Sequence, residues 1–154
     1  VLIISGGISV GDYDFVKQSL EENGVKELFY KVFQKPGKPL YFGRKGNQFV
    51  FALPGNPASS LTCFYVYVLP LLQRLSGYES VGLTTYRFPI QQDFENRFGR
   101  PTFLKAAVLD GTVEILDGQG SSMIQSMAQG NALAFVDDGE ALKKGDLIPC
   151  KLIS

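Results

Sequence analysis

The 154-residue sequence contains no histidine and only two cysteines, Cys63 and Cys150. The lack of histidine excludes a histidine-based catalytic triad, a histidine general base and histidine metal ligands within this chain. Two cysteines are too few for a disulfide framework or a four-cysteine zinc site. We therefore expect buried, reduced thiols in a cytoplasmic protein, and we expect any bound metal to have oxygen ligands, as Mg²⁺ does.

The sequence also lacks net charge, because 15 basic residues balance 15 acidic ones. This balance argues against a partner that is nucleic acid or a polybasic contact with a membrane. The longest apolar run, 64–72, is too short to span a bilayer and contains Pro70. The chain begins with Val1 inside an apolar run, which we interpret as a fragment that starts within a fold.

The first half of the sequence predicts an α/β unit. Short apolar runs predict a buried parallel strand at Val1–Ile4, a strand at Val25–Phe33 and a hairpin of Leu40–Gly43 with Gln48–Leu53. Helical spacing predicts a helix over Asp14–Asn23 that Gly24 ends, and a longer one over Pro57–Ser76 that Pro70 kinks. The longer helix should face a core with Leu61, Phe64, Tyr65, Val68, Leu72 and Leu75.

The second half predicts a small β domain, a barrel or sandwich, after a linker at Gly77–Gly82. Its strand candidates are Thr84–Ile90, Phe103–Leu109, Val113–Leu116, Leu133–Val136 and Asp146–Ile153. We therefore expect one domain over 1–77 and another over 83–154.

A glycine-rich loop, Ser5-Gly6-Gly7-Ile8-Ser9-Val10-Gly11-Asp12, follows the first strand. Adjacent glycines let the backbone turn sharply and approach a ligand closely. The loop lacks the Lys-Ser/Thr of a P-loop and the spacing of a dinucleotide fingerprint. It places Asp12 and Asp14 where a P-loop has a cation, and one of them would also cap the next helix.

Two further segments have the residues of an anion site. Lys35-Pro36-Gly37-Lys38-Pro39 presents two lysines on a rigid turn, although two solvated lysines on a type II turn are the simpler interpretation. In Leu53–Ser60, a Pro54-Gly55 turn, an Asn56 N-cap and Ser59 in the first helical turn would bind an anion or only cap the helix well.

The predicted β domain contributes two more candidates. Arg100 lies between Gly99 and Pro101 at the start of a strand. The small-residue loop Asp117–Met123 would close on a ligand, although ordinary turn chemistry is the simpler explanation of both features.

Taken in this order, these segments resemble the MoeA / gephyrin E-domain family of molybdopterin molybdenumtransferases. The resemblance rests on the Ser5–Asp12 loop with Asp14, on Lys35–Pro39, on Leu53–Pro57 with Ser59, and on Gly99–Pro101 and Gly118–Ser122 with Asn131. It implies the second part of a three-layer molybdopterin-binding α/β unit, the MoeA domain III type, followed by a small C-terminal barrel-like β domain.

The resemblance implies insertion of molybdate into adenylylated molybdopterin with release of AMP, and the following roles. Lys38, Pro39, Ser59, Arg100 and Ser121 or Ser122 would line the molybdate pocket, with Lys35 beside it. Asp14, with or without Asp12, would bind Mg²⁺, and both would act in catalysis with Lys35 and Lys38. The molybdopterin and nucleotide would contact Gly6, Gly7, Ser9, Gly11, Pro54, Gly55 and Asn56.

Two further expectations follow from the resemblance. The chain would form a homodimer, because sites in the family lie near residues of a partner subunit. The alternative function is that of a non-catalytic scaffold of the gephyrin E-domain type, which binds peptides instead of turning over a substrate.

Overall fold

The computed structural model describes residues 1–8, 15–120 and 128–153. The elements of the first half are β1 (Leu2–Ser5), α1 (Val16–Glu22), β2 (Lys26–Tyr30), β3 (Tyr41–Lys45), β4 (Gln48–Leu53), α2 (Pro57–Cys63), a π-helical segment (Phe64–Val68) and α3 (Leu69–Leu75). These elements confirm the predicted α/β class.

The four strands form one sheet in the order β1-β4-β3-β2. Strand β1 pairs with β4 in parallel, whereas β3 is antiparallel to both of its neighbours. Side chains of β4 alternate between the two faces: Val50 and Ala52 pack with Leu20 of α1, and Phe51 and Leu53 pack with the second helical region. The unit therefore has three layers, with the sheet between α1 and the helical residues 57–75.

The prediction that the first strand is buried is wrong for this chain. Val1, Leu2 and Ile3 have exposed fractions of 47%, 40% and 41%. The reason is topological, because β1 lies at the edge of the sheet and pairs only with β4. The exposed apolar run lies close to a shallow apolar pocket between α1 and the sheet that Leu2 and Phe15 line.

The long helix has the predicted extent but is not regular. Five residues, Phe64–Val68, form a π-helical turn between α2 and α3. This turn ends one residue before α3 begins, and Pro70 lies in the first turn of α3, where a missing backbone N–H costs little. Leu75 is 54% exposed, so its predicted core position is wrong. It lies in the last turn, beyond the reach of the sheet.

The second half is all β. Its strands are β5 (Thr85–Pro89), β6 (Phe94–Glu95), β7 (Thr102–Leu109), β8 (Thr112–Ile115), β9 (Ala132–Val136), β10 (Ala141–Leu142) and β11 (Leu147–Leu152). The two-residue strands β6 and β10 pair with each other and were not predicted from the sequence.

The larger β sheet is strongly curved. Its strands follow the order β5-β11-β9-β7-β8, and its two edges meet where Ile90, just after β5, bridges to Val113 of β8. The backbone N–H of Gln91 donates to the Val113 carbonyl at 2.9 Å. Fully buried Leu104, Val136 and Ile148 fill the interior, which makes the domain barrel-like.

Among the described residues, a backbone bridge and a small apolar cluster join the two halves. Lys35 bridges to Thr102, with its N–H donating to Pro101 at 2.9 Å and its carbonyl accepting from Phe103 at 2.7 Å. Ala58 of α2 and Leu133 of β9 form a separate small apolar cluster. The backbone bridge places the loop after β2 against the start of β7, and the cleft described below lies at this junction.

Candidate functional site

A cleft of about 490 Å³ lies where the two halves meet. It is lined by loops of the α/β unit and by the loop before β7. Nine of the residues predicted for the site line it: Gly7, Lys35, Lys38, Pro39, Pro54, Gly55, Asn56, Ser59 and Arg100. Gly6 lies beside it, because a Cβ atom on Gly55 would stand 3.5 Å from the Gly6 Cα. Residues far apart in the chain are therefore neighbours.

Six of the predicted site residues lie outside the described residues. They are Ser9, Gly11, Asp12, Asp14, Ser121 and Ser122. The described N-cap of α1, Phe15, makes no side-chain cap hydrogen bond, so capping by Asp12 or Asp14 stays a prediction. Asn56 occupies the N-cap position of α2 with an extended backbone, but its side chain makes no cap hydrogen bond either.

The Lys35–Pro39 loop packs directly against the Cys63 side chain. Gly37 has a φ of +88°, and a Cβ atom there would lie 2.4 Å from the Cys63 Sγ. The thiol in turn donates to the Gly37 carbonyl at 3.7 Å. Burial raises the pKa of Cys63 to about 12, so the thiol stays protonated and supports the loop. Glycine is needed here both for the backbone angle and for the close approach.

The Gln34 side chain also holds this loop, through a hydrogen bond. It is 5% exposed, and its amide nitrogen donates to the Pro36 carbonyl at 2.9 Å. Its amide oxygen accepts a hydrogen bond from the Tyr67 hydroxyl, which the π-helical segment presents. The peptide bond between Lys35 and Pro36 is cis. Neither Gln34 nor Tyr67 belongs to a recognisable motif, and only the fold brings them together.

The opposite wall of the cleft is a loop that one buried asparagine holds in place. Asn96 is 1% exposed, and its amide nitrogen donates to the carbonyls of Arg100, Val136 and Asp137 at 3.0, 3.2 and 2.7 Å. Its amide oxygen accepts from the Phe98 N–H at 3.1 Å. Asn96 therefore fixes the backbone of both residues that reach the cleft from this side, Phe98 and Arg100.

The cleft is electropositive. Its described lining contains Lys35, Lys38 and Arg100 and no carboxylate. Desolvation and, secondarily, the nearby positive charge of Arg100 lower the pKa of Lys35. Among the described residues, the Arg100 Nε is buried without a hydrogen-bond partner. A buried guanidinium N–H without a partner is costly, and an anion in the cleft would satisfy it.

The loop that follows β8 is tied back to β7. Buried Lys105 donates from its Nζ to the carbonyls of Gly118 and Gly120. Gln119 exchanges hydrogen bonds with the Lys105 backbone, at 3.0 Å as acceptor and 2.9 Å as donor. Desolvation lowers the pKa of Lys105. Asn131 similarly pairs with the N–H and carbonyl of Val108. The Lys105 and Gln119 contacts fix residues 118–120, directly before Ser121 and Ser122 in the sequence.

Three further properties of the described residues concern metal ligands, disulfide bonds and membrane-spanning helices. Residues 1–8, 15–120 and 128–153 contain no group of three His, Cys, Asp or Glu residues that would bind a metal ion. Cys63 and Cys150 are free and buried, as expected, and burial raises the pKa of Cys150 to about 11. No helix in the described part of the chain is long and apolar enough to cross a membrane.

Comparisons with known proteins agree with this arrangement. Residues 1–74 match a family model described as a probable molybdopterin binding domain, and residues 87–153 match the MoeA C-terminal region (domain IV). The chain is 32% identical to the molybdenum cofactor synthesis protein cinnamon of Drosophila melanogaster over 99% of its length, and 48% identical to a molybdopterin molybdenumtransferase of Haemophilus influenzae over 50% of its length.

The likeness extends to a solved structure. The crystal structure of a molybdopterin biosynthesis MoeA protein from Pyrococcus horikosii superposes with a TM-score of 0.78 at 27% identity, covering 100% of this chain. The chain spans 27% of cinnamon, 19% of the Haemophilus protein and 37% of the Pyrococcus chain. Two adjoining domain models in the same order and a matching fold identify the chain as a member of the MoeA / gephyrin E-domain family.

Proposed function

We propose that this chain forms part of a molybdopterin molybdenumtransferase, which inserts molybdate into adenylylated molybdopterin and releases AMP. The observation that carries the proposal is the cleft in which Lys35, Lys38 and Arg100 converge with no carboxylate in the described lining. The name of the Haemophilus relative supports the same reaction. Because the chain covers a minor part of its relatives, the complete activity belongs to the proposal.

The residues of the cleft suit a tetrahedral dianion. Two ammonium groups and a guanidinium supply charge, and buried Ser59 adds a hydroxyl at the helix start. The Gln34 and Cys63 contacts hold the lysine loop before a ligand arrives, so little ordering cost remains to be met on binding. The Pro54–Gly55 turn and Gly7 bring bare backbone to the cleft, where the flat pterin and its phosphate would lie.

We also propose that Mg²⁺ assists cleavage of the adenylate. A carboxylate-bound Mg²⁺ would neutralise charge that develops on the leaving oxygens. The described lining of the cleft offers no such ligand, so the ion depends on Asp12 and Asp14. A role for Ser121 or Ser122 at molybdate rests likewise on the resemblance alone.

A molybdate soak tests the anion site directly. The anomalous signal of molybdenum should locate the anion between Lys38, Ser59 and Arg100 in crystals of the intact protein. Lys38→Ala should abolish this density, whereas Lys26→Ala, which removes an exposed lysine of β2, should leave it unchanged. Density that is absent from the wild-type cleft at high molybdate would contradict the proposed site.

A turnover assay tests the catalytic assignment. The intact protein should consume adenylylated molybdopterin in the presence of molybdate and Mg²⁺, and the double variant Asp14→Ala, Lys38→Ala should not. Undiminished turnover in the double variant would remove both residues from the site.

The scaffold alternative has less support. A scaffold that only binds peptides does not require three cations converging on one cleft, so the lining favours the enzyme. The homodimer and the cytoplasmic location complete the proposal. Sedimentation of the intact protein at micromolar concentration would report a dimer, and a monomer there would contradict that part.

A further inference from the structure

Phe98 lies at the mouth of the cleft, against Lys35. The Lys35 Nζ stands 3.2 Å from the centroid of the Phe98 ring, within the range of a cation–π interaction. Phe98 is 36% exposed and makes none of the core contacts that would explain an aromatic residue at this position. The ring therefore contacts the cation from a position that packing does not require.

Both partners of this contact are anchored to the same end of β7. The Lys35 backbone is bridged to Thr102 through hydrogen bonds with Pro101 and Phe103. The Phe98 N–H donates to the buried Asn96 side chain. Because both backbones are fixed, the fold holds the Phe98 ring and the Lys35 side chain within reach of each other.

Lys35 contacts an aromatic ring and not a carboxylate, which matters for a site that binds anions. Within the described residues, the salt bridges involve Lys17, Arg97 and Lys143, and none of the three cleft cations contacts a carboxylate. A carboxylate beside Lys35 would order the side chain but cancel its charge and compete with the ligand. An aromatic face orders the same ammonium group through its quadrupole and leaves the full positive charge for a ligand.

We propose that Phe98 is a positioning residue that holds the Lys35 ammonium group in place for a tetrahedral oxyanion without neutralising it. The inference rests on the proposed function and deepens it, because it explains how the cleft keeps ordered cations close together in the absence of a ligand. Phe98 acts through Lys35 and makes no contribution of its own to the charge of the site.

The contact itself is measurable without a ligand. In the NMR spectrum of the intact wild-type protein, ring current from Phe98 should shift the ε-methylene protons of Lys35 upfield of those of free lysine. The signal is assigned by its loss in Lys35→Gln. Phe98→Leu should return it to the free-lysine position, and Phe98→Tyr should keep it shifted. An unshifted signal in the wild-type protein would overturn the proposal before any variant is made.

Calorimetric titration with sodium molybdate tests the consequence. Phe98→Leu should weaken molybdate binding about three- to thirty-fold, the range of a partly exposed cation–π contact. Phe98→Tyr should bind as the wild type does, and Phe98→Glu should lose binding because its carboxylate cancels the Lys35 charge. Tyr86→Leu, which removes a 49%-exposed aromatic residue on β5, is the matched control and should change nothing.

A double-mutant cycle distinguishes positioning from a structural role. In the Lys35→Gln background, Phe98→Leu should have no further effect on the molybdate dissociation constant. An equal loss in both backgrounds would overturn the proposal, because Phe98 would then act on the anion or on the loop itself. Wild-type affinity in Phe98→Leu would overturn it too, while leaving the proposed function standing. A wild-type protein that binds no molybdate would contradict the proposed function, and this inference with it.

Discussion

The two walls of the cleft are built in different ways. On the α/β side, the Lys35–Pro39 loop and the Pro54–Gly55 turn form a wall of backbone, shaped by proline and glycine and pressed against Cys63. On the β side, long side chains reach in from a loop whose backbone is held by the Asn96 amide group. An atom added to the backbone wall should therefore destabilise it. The side-chain wall should be destabilised by loss of the Asn96 amide group.

The largest effect is expected from adding one methyl group to the backbone wall. In Gly37→Ala, the new Cβ would meet the Cys63 Sγ at 2.4 Å, and the φ of +88° is unfavourable for any residue with a side chain. Overpacking and backbone strain together should lower the free energy of unfolding by about 2–5 kcal/mol. Urea denaturation measures this change.

Gly46→Ala is the matched control for that change. Gly46 also has a positive φ, of +57°, but no atom within 4 Å of an added Cβ. Gly46→Ala should therefore lower the free energy of unfolding only by the cost of the backbone angle, about 1 kcal/mol. If the two variants were equally stable, contact with Cys63 would not be what shapes the loop.

The second prediction removes the anchor of the side-chain wall. Asn96→Ala leaves the buried Val136 carbonyl and the partly buried Arg100 and Asp137 carbonyls without this donor. The free energy of unfolding should fall by about 1–3 kcal/mol. The same variant should weaken molybdate binding, because Phe98 and Arg100 lose their fixed backbone. Exposed Gln91→Ala, which removes a single side-chain hydrogen bond to Thr112, should change stability by about 0.5 kcal/mol or less.

The two walls also differ in how much of them the sequence predicts. Local signals predict the turns of the backbone wall, because Pro-Gly turns and glycine pairs dictate backbone shape within a few residues. The family resemblance implies that these turns form a binding site. On the other wall, the family resemblance implies Arg100, because ordinary turn chemistry is the simpler explanation of Gly99-Arg100-Pro101 taken alone. Asn96 and Phe98 were not predicted, since an asparagine and a phenylalanine before a strand are ordinary until the fold shows what they contact.

The same distinction applies to the fold. Strand and helix positions followed from periodicity, but the order β1-β4-β3-β2 and the edge position of β1 depend on which strands pair. The π-helical turn also went unpredicted, although Pro70 signalled an irregularity. Its consequence, a Tyr67 hydroxyl directed at Gln34, arises only when the helix packs on the sheet.

The third prediction asks whether the backbone wall also needs side-chain support. Tyr67→Phe removes the hydroxyl that donates to Gln34 and leaves the ring in its apolar cluster. One hydrogen bond is worth about 0.5–1.5 kcal/mol, so thermal unfolding should show a loss of that size. Tyr78→Phe, at a 60%-exposed position, should show none. A loss no larger than that of the control would mean that the Tyr67 hydroxyl does not help to hold Gln34.

The last prediction joins the two walls through charge. Lys35 belongs to the backbone wall and Arg100 to the side-chain wall. Desolvation, together with the positive charge of Arg100, lowers the pKa of Lys35. A lysine must be protonated to attract an anion, so molybdate affinity should be highest at pH values below the lowered pKa of Lys35. The affinity should fall as the pH rises through the lowered pKa of Lys35, before the ordinary lysine value of 10.5 is reached.

Arg100→Gln should weaken binding but move this alkaline limb of the affinity profile to higher pH, because one of the two causes of the lowered pKa is gone. Arg97→Gln, in the same loop but paired with Glu95 at the surface, should leave the profile where it is. If the alkaline limb stays at the same pH in Arg100→Gln, the charge of Arg100 does not affect the pKa of Lys35. Burial alone would then lower that pKa.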